Sequence, residues 1–152
     1  MHVEHLRCEY QVNPLGIDAE HPRLSWWLNS SERGAHQTAY QILVASSAAL
    51  LKLDKGDLWD SGKVASDASI QIAYGGKSLV SRQKCFWKTR VWNGSGEISG
   101  WSSDGIWTMG FLSASDWKGR WIEHPRSAIV VPLPGEPDED LIGHELTFSF
   151  RH

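Results

Sequence analysis

Cysteine is scarce in this chain: two residues, Cys8 and Cys85, and no CxxC pair. That spacing excludes a structural zinc site and a thioredoxin-type motif, leaving either two buried free thiols or one disulfide between them. Charge of one sign is also missing. The 15 Lys and Arg stand against 18 Asp and Glu, and no basic cluster exceeds a pair, so neither nucleic acid nor an anionic membrane is an expected partner. No apolar run approaches the roughly 18 residues of a spanning helix. The N-terminal MHVEHLRCEY has neither the basic nor the apolar region of a signal peptide. Histidines are scattered, and the nearest pair, His2 and His5, reads as part of a frayed terminus. The acidic EPDED (136–140) lacks the glycine-punctuated spacing of a calcium loop. No metal and no cofactor is expected.

Tryptophan, by contrast, is abundant, with nine in 152 residues. Three of them, Trp87, Trp92 and Trp101, fall within CFWKTRVWNGSGEISGWSS (85–103). With 41% hydrophobic residues the chain can bury one full core and little more. Period-2 alternation, bounded by Gly, Pro, Asn and Asp, recurs in short segments. PRLSWWLNS sets Leu24, Trp26 and Leu28 against Ser25, Trp27 and Asn29. QTAYQILVAS aligns Tyr40, Ile42 and Val44; CFWKTRVW sets Cys85, Trp87, Thr89 and Val91 against Phe86, Lys88, Arg90 and Trp92. SIQIAY and LWDSGKV give shorter strands, and GWSSDGIW a following one. This grammar predicts an all-β sandwich of about seven strands in residues 1–110. One helical turn interrupts it at SSAALLKLDKG, with Ser46 or Ser47 as N-cap and Gly56 as the stop.

Beyond Gly110 the texture changes. FLSASDWKGRWIEHP reads as a connector and one strand, SAIVVPLP as a further strand and GEPDEDLIG as an acidic loop. HELTFSFRH starts a strand with Leu146, Phe148 and Phe150 on one face. Residues 111–152 are therefore expected to be a connector and the incomplete start of a second β-domain, its open edge inviting pairing, including into a homodimer.

Six segments resemble, in order, the N-terminus of bacterial α-L-rhamnosidases of glycoside hydrolase family 78. They are LRCEYQVNPLGIDAEHPRLSWWL, ERGAHQTAYQILVAS, LWDSGKV, SRQKCFWKTRVWN, GWSS and SDWKGRWI, covering residues 5 to 122. The resemblance implies a fibronectin type III-like, immunoglobulin-like sandwich, followed by further β-domains and an inverting α/α barrel that carries the catalytic carboxylates. No catalytic residue transfers to this chain. The cytoplasm and the periplasm or exterior stay equally open as compartments. The implied function is that of a non-catalytic accessory or scaffold domain, with the remaining domains of the parent enzyme as partners. The alternatives are a carbohydrate-binding module that uses exposed tryptophans, or an unrelated fibronectin-type adhesion or receptor-like module.

The residues themselves agree on catalysis. Inverting glycosidases need two carboxyl groups about 6.5–9.5 Å apart, one with a raised pKa. The acidic residues here sit mostly in turns, where carboxylates cap local donors. GWSSDG lacks the elbow of a serine nucleophile. Trp26 and Trp87 are expected in the core, whereas Trp92 shares the other face with Phe86 and Arg90. GWSSDGIW loosely resembles the Trp-Ser repeat of cytokine-receptor fibronectin domains, which supports stacking of Arg90 on an indole. Phe86, Arg90, Trp92, Trp59 and Trp101 are thus the candidates for an interdomain or sugar contact, and an exposed Trp59 beside Asp60, or Trp101 beside Ser102, would suit a sugar platform.

Overall fold

A computed structural model of the chain describes residues 1–119. Among these residues eight strands form in chain order: β1 (His2–Cys8), β2 (Arg23–Asn29), β3 (Gln37–Ala45), β4 (Trp59–Asp60), β5 (Val64–Ala65), β6 (Ile72–Ala73), β7 (Lys84–Asn93) and β8 (Gly105–Thr108). One helix, α1 (Ala48–Lys52), follows β3. Among the described residues no helix is long and apolar enough to cross a membrane.

Two sheets face each other. One runs β1-β2-β6; the other runs β4-β3-β7-β8, with β5 also paired to β3. The alternation read from the sequence sets the core. Leu24 and Trp26 from β2 meet Tyr40, Ile42 and Val44 from β3, Cys85, Trp87 and Val91 from β7, and Trp107 from β8, all buried. Aromatic edges fill the gap between the sheets: Trp26 meets Tyr40 at 5.3 Å and Tyr74 meets Trp107 at 6.1 Å between ring centroids, both near perpendicular.

Four local expectations need correction. The N-terminus is a paired strand instead of a frayed end, with Val3 opposite Leu28 and Cys8 opposite Leu24. A bulge between Glu4 and Arg7, with His5 at φ 51°, shifts the phase, so the buried residues are Val3, Leu6 and Cys8 and no simple alternation shows. LWDSGKV divides into β4 and β5, because Gly62 takes φ 60° and its N–H bonds the Asp60 carboxylate at 2.9 Å. The helix is capped by Ser47 but ends at Leu53, where Asp54 turns left-handed at φ 56°. Gly56 serves close approach instead: a Cβ there would lie 2.2 Å from the Trp59 carbonyl oxygen. Finally, strand pairing after GWSS begins only at Gly105.

The outer edge of β8 is sealed from far away in sequence. Asn13 Oδ1 accepts the Ile106 N–H at 2.9 Å, Pro14 O accepts the Thr108 N–H at 3.1 Å, and the Ile17 N–H bonds Thr108 O at 2.9 Å. Residues 111–119 contain a 3₁₀ turn at Ala114–Asp116, and the compact unit runs Met1–Lys118. The strands expected in SAIVVPLP and HELTFSFRH, the EPDED loop and the pairing edge all lie outside the described residues.

Cys8 and Cys85 are free and buried in the same core. Burial pushes both thiols up to about 12 from an ordinary 9.0, and the Tyr74 hydroxyl to about 12 from 10.0. The native chain is therefore expected to resist a thiol reagent until it unfolds; stoichiometric labelling of the native chain would contradict this burial. A linked pH effect is expected as well. Above about pH 9 the unfolded chain releases thiol protons that the folded chain keeps. Stability should therefore be complete below that pH and fall between 9 and 12, by up to about 1.4 kcal/mol per pH unit per thiol. Denaturant midpoints across that range measure it.

Candidate functional site

The outward residues of β7 come at every second position: Lys84, Phe86, Lys88, Arg90 and Trp92. They form a ladder of alternating cations and rings. Lys84 Nζ lies 5.1 Å from the Phe86 ring centre and Lys88 Nζ 5.0 Å from that of Trp101. The Arg90 guanidinium carbon sits 4.4 Å from Trp101 and 5.6 Å from Trp92, and Lys63 Nζ closes the row 4.8 Å from Trp92. Each such contact contributes about 0.5–1 kcal/mol where exposed and about 2 where desolvated.

Hydrogen bonds fix the cations in place. Arg90 donates from Nε and Nη2 to Gln41 Oε1 at 3.0 and 2.8 Å, and Gln41 Nε2 donates to Asp60 Oδ1 at 2.7 Å. Lys88, only 6% exposed, donates from Nζ to Leu51 O at 2.7 Å and pairs with Asp54. It thereby ties the C-terminal end of α1 to the sheet, where a cation also favours the helix dipole. The helix covers part of this face: Leu43, Ala45 and Leu51 form a second small core, with Phe86 and Trp101 packed against it.

Trp101 is held by two serines: Ser99, which the sequence did not single out, and Ser102, which it set beside Trp101 only as a partner for a sugar. Ser99 Oγ accepts the Val91 N–H at 3.0 Å and Ser102 Oγ accepts the Thr89 N–H at 3.1 Å. Their own N–H groups return bonds to Val91 O and Thr89 O, both at 2.9 Å. The three-residue spacing across Gly100 and Trp101 was the available signal: two serines bonding alternate residues of β7 lay the indole flat over the side chain between them.

The five candidates divide. Phe86, Arg90, Trp92 and Trp101 share the ladder, each half-buried. Trp59 stands apart: its ring meets Tyr74 edge-on at 5.4 Å and packs on the main core instead of presenting an open platform beside Asp60.

Chemically the site is a brace. The Lys88 hydrogen bond holds the Asp54 carboxyl below its ordinary value against slight desolvation, with Trp101 and Arg90 adding to it. Every carboxyl shift resolved among the described residues runs downward. Glu4 is lowered through its bond to His2, Glu9 through Arg23, and Asp57, against burial, through the Ser46 N–H and hydroxyl. A glycosidic general acid requires the opposite shift. Among the described residues no group of three or more His, Cys, Asp or Glu is placed to hold a metal.

Two antiparallel sheets around an aromatic core, with an arginine clasped between indoles on the outer face, define an immunoglobulin-like β-sandwich module. Residues 3–113 match the family described as the Rha78A-like, N-terminal immunoglobulin domain, and the chain belongs to that family. It is 47% identical over 124 residues to an alpha-L-rhamnosidase of Streptomyces avermitilis, a match covering 82% of this chain and 12% of that protein. An alpha-L-rhamnosidase of Formosa agariphila is 48% identical over 113 residues, covering 74% of this chain and 12% of its own. Among solved structures, the Streptomyces avermitilis alpha-L-rhamnosidase complexed with L-rhamnose superposes with a TM-score of 0.76 over 81% of this chain and 12% of that one. The alpha-L-rhamnosidase from Dictyoglumus thermophilum superposes with a TM-score of 0.77 at 37% identity, over 81% of this chain and 14% of that one. The chain thus spans about an eighth of the relatives it matches, and what it matches there is the immunoglobulin-like domain.

Proposed function

We propose that this chain is the non-catalytic N-terminal accessory and scaffold sandwich of an α-L-rhamnosidase whose other domains hydrolyse terminal α-L-rhamnosyl bonds. In this reading residues 1–110 are the sandwich and 111–152 lead into the next β-domain. The observation that carries it is the extent of the matches, 12% of each curated relative cited, together with the family match to an N-terminal immunoglobulin domain over residues 3–113. The carboxylates support it, since those with resolved shifts are all held more acidic than usual. The ladder then acts as an internal brace that stiffens the larger sheet, with the open rims of Phe86, Trp92 and Trp101 free for a secondary contact.

The purified chain is expected to release no product from an aryl α-L-rhamnoside. Turnover abolished by mutating a carboxylate of this chain would overturn the reading. A titration with L-rhamnose followed by tryptophan fluorescence separates the carbohydrate-binding alternative: the scaffold gives no saturable change, whereas a sugar-binding module does.

A further inference from the structure

The outer face of the smaller sheet, on the opposite side from the ladder, carries a second aromatic and arginine cluster. Trp27, from the central strand β2, is 55% exposed, Tyr10 is 54% exposed and Ile70 64%. The His5 ring lies 4.5 Å from Trp27, and the Arg7 guanidinium 5.5 Å from it. Arg7 faces Ser25 across the β1-β2 pair, and Ser25 Oγ accepts the Gln71 N–H at 3.0 Å. Gln71 bonds the Tyr10 hydroxyl, and Arg23 lies over the Tyr10 ring at 5.5 Å while pairing with Glu9. These contacts make one continuous surface.

Backbone strain is concentrated there. Seven non-glycine residues among those described have positive φ, and four of them frame this face: His5 at 51°, Glu9 at 48°, Tyr10 at 65° and Gln71 at 58°. Such conformations cost free energy and persist where the surrounding structure imposes them, commonly at sites of function. Here they aim His5 at Trp27 and bring Tyr10 beside Arg23. Arg7 Nε, shielded from solvent, has no hydrogen-bond partner among the described residues, and leaving such a donor unsatisfied is unfavourable.

We propose that this face is the docking surface for a later domain of the same polypeptide, beyond residue 152, which seats Trp27 in an apolar pocket and brings a carboxylate to Arg7. The inference rests on the scaffold reading. Two observations select this occupant. Exposed Trp, Tyr and Arg in one patch are the residue types that dominate protein contacts. The relatives are also about eight times as long as the part of them matched here, so most of such a polypeptide lies outside this chain.

Hydroxyl-radical footprinting read by mass spectrometry tests it, comparing this chain with the longer polypeptide encoded by the same reading frame. Trp27 and Tyr10 are expected to be oxidised several-fold more slowly in the longer protein, with the exposed Ile98 as an unchanged control. Trp27→Ser and Arg7→Glu should leave the melting of the isolated chain nearly unchanged, yet in the longer protein they should restore oxidation at Tyr10. Equal oxidation of Trp27 in both proteins overturns the docking surface even if the longer protein hydrolyses rhamnosides. Protection without rhamnosidase activity overturns the scaffold reading instead and leaves the surface standing. Protection of Trp27 in the isolated chain by added rhamnosides makes the face a sugar platform and overturns the proposal. A reading frame ending at His152 overturns both.

Discussion

Trp26→Ala should destabilise the chain by about 3–5 kcal/mol, a large share of the roughly 5–15 kcal/mol that holds a domain of this size folded. The indole is 1% exposed, so truncation leaves a cavity bounded by Tyr40 and the facing sheet. It also removes a hydrogen bond from the interior. Trp26 Nε1 donates to Gln37 Oε1 at 3.1 Å, and Gln37, itself buried, donates to Ser66 O at 3.0 Å and Ala68 O at 2.8 Å. The Trp26 backbone N–H bonds Ser69 O at 2.9 Å. Trp26 and Gln37 together therefore hold residues 66–69 against β2 just before β6 begins. Trp26→Phe keeps the ring contact with Tyr40 and loses the N–H, so it should cost distinctly less. Urea denaturation of the three proteins measures the series. If Trp26→Ala melts within a few degrees of the parent, the packing described for β2 is wrong.

Gly105→Ala should be strongly destabilising for the addition of a single methyl group. Gly105 lies directly opposite Trp87 in the β7-β8 pair, and a Cβ there would stand 2.4 Å from Trp87 Nε1 and 2.9 Å from Cε2. The Trp87 ring is rigid and 1% exposed, and cannot yield without moving its neighbours. Overpacking of this kind costs about 1–3 kcal/mol and occasionally more. The same substitution made in a Trp87→Phe background meets no pyrrole ring, so its cost should largely vanish. That non-additivity is what a steric clash between the two positions requires. Equal costs in both backgrounds would place the effect in the backbone of β8 instead.

Legibility followed local regularity. β3 and β7 could be read because large apolar or β-branched residues recur at every second position in each, Tyr40, Ile42 and Val44 in the one and Cys85, Trp87, Thr89 and Val91 in the other. Arg90 and Trp92 could be joined because two residues apart on a strand means one face. β1 was hidden by its bulge, which breaks the period that reveals a strand. Lys88 reads as an exposed cation from its phase, and only the short helix folded over that face buries it. Trp59 looks open beside Asp60, yet the backbone at Gly75 and Gly76 leaves room for its ring to turn toward Tyr74. Trp27 was assigned to the outer face correctly by alternation, but the neighbours that make a surface of it come from β1 and from residue 71, and long-range pairing of that sort is not written in any local window.

The seal on β8 bears on how this protein comes into being on a ribosome. Gly16 donates to Thr108 Oγ1 at 3.0 Å across 92 positions of sequence. At about 5–20 residues per second of synthesis, the N-terminal segment waits roughly 5 to 20 s for the strand it must close. Throughout that interval the inward faces of β1 and β2 have no completed opposing sheet. A module at the front of a polypeptide is often pictured as folding first and guiding the domains made after it. This one cannot finish until its own last strand emerges, so nascent chains halted before Thr108 should be open to protease and dependent on a holding chaperone, while those halted well beyond it should be closed.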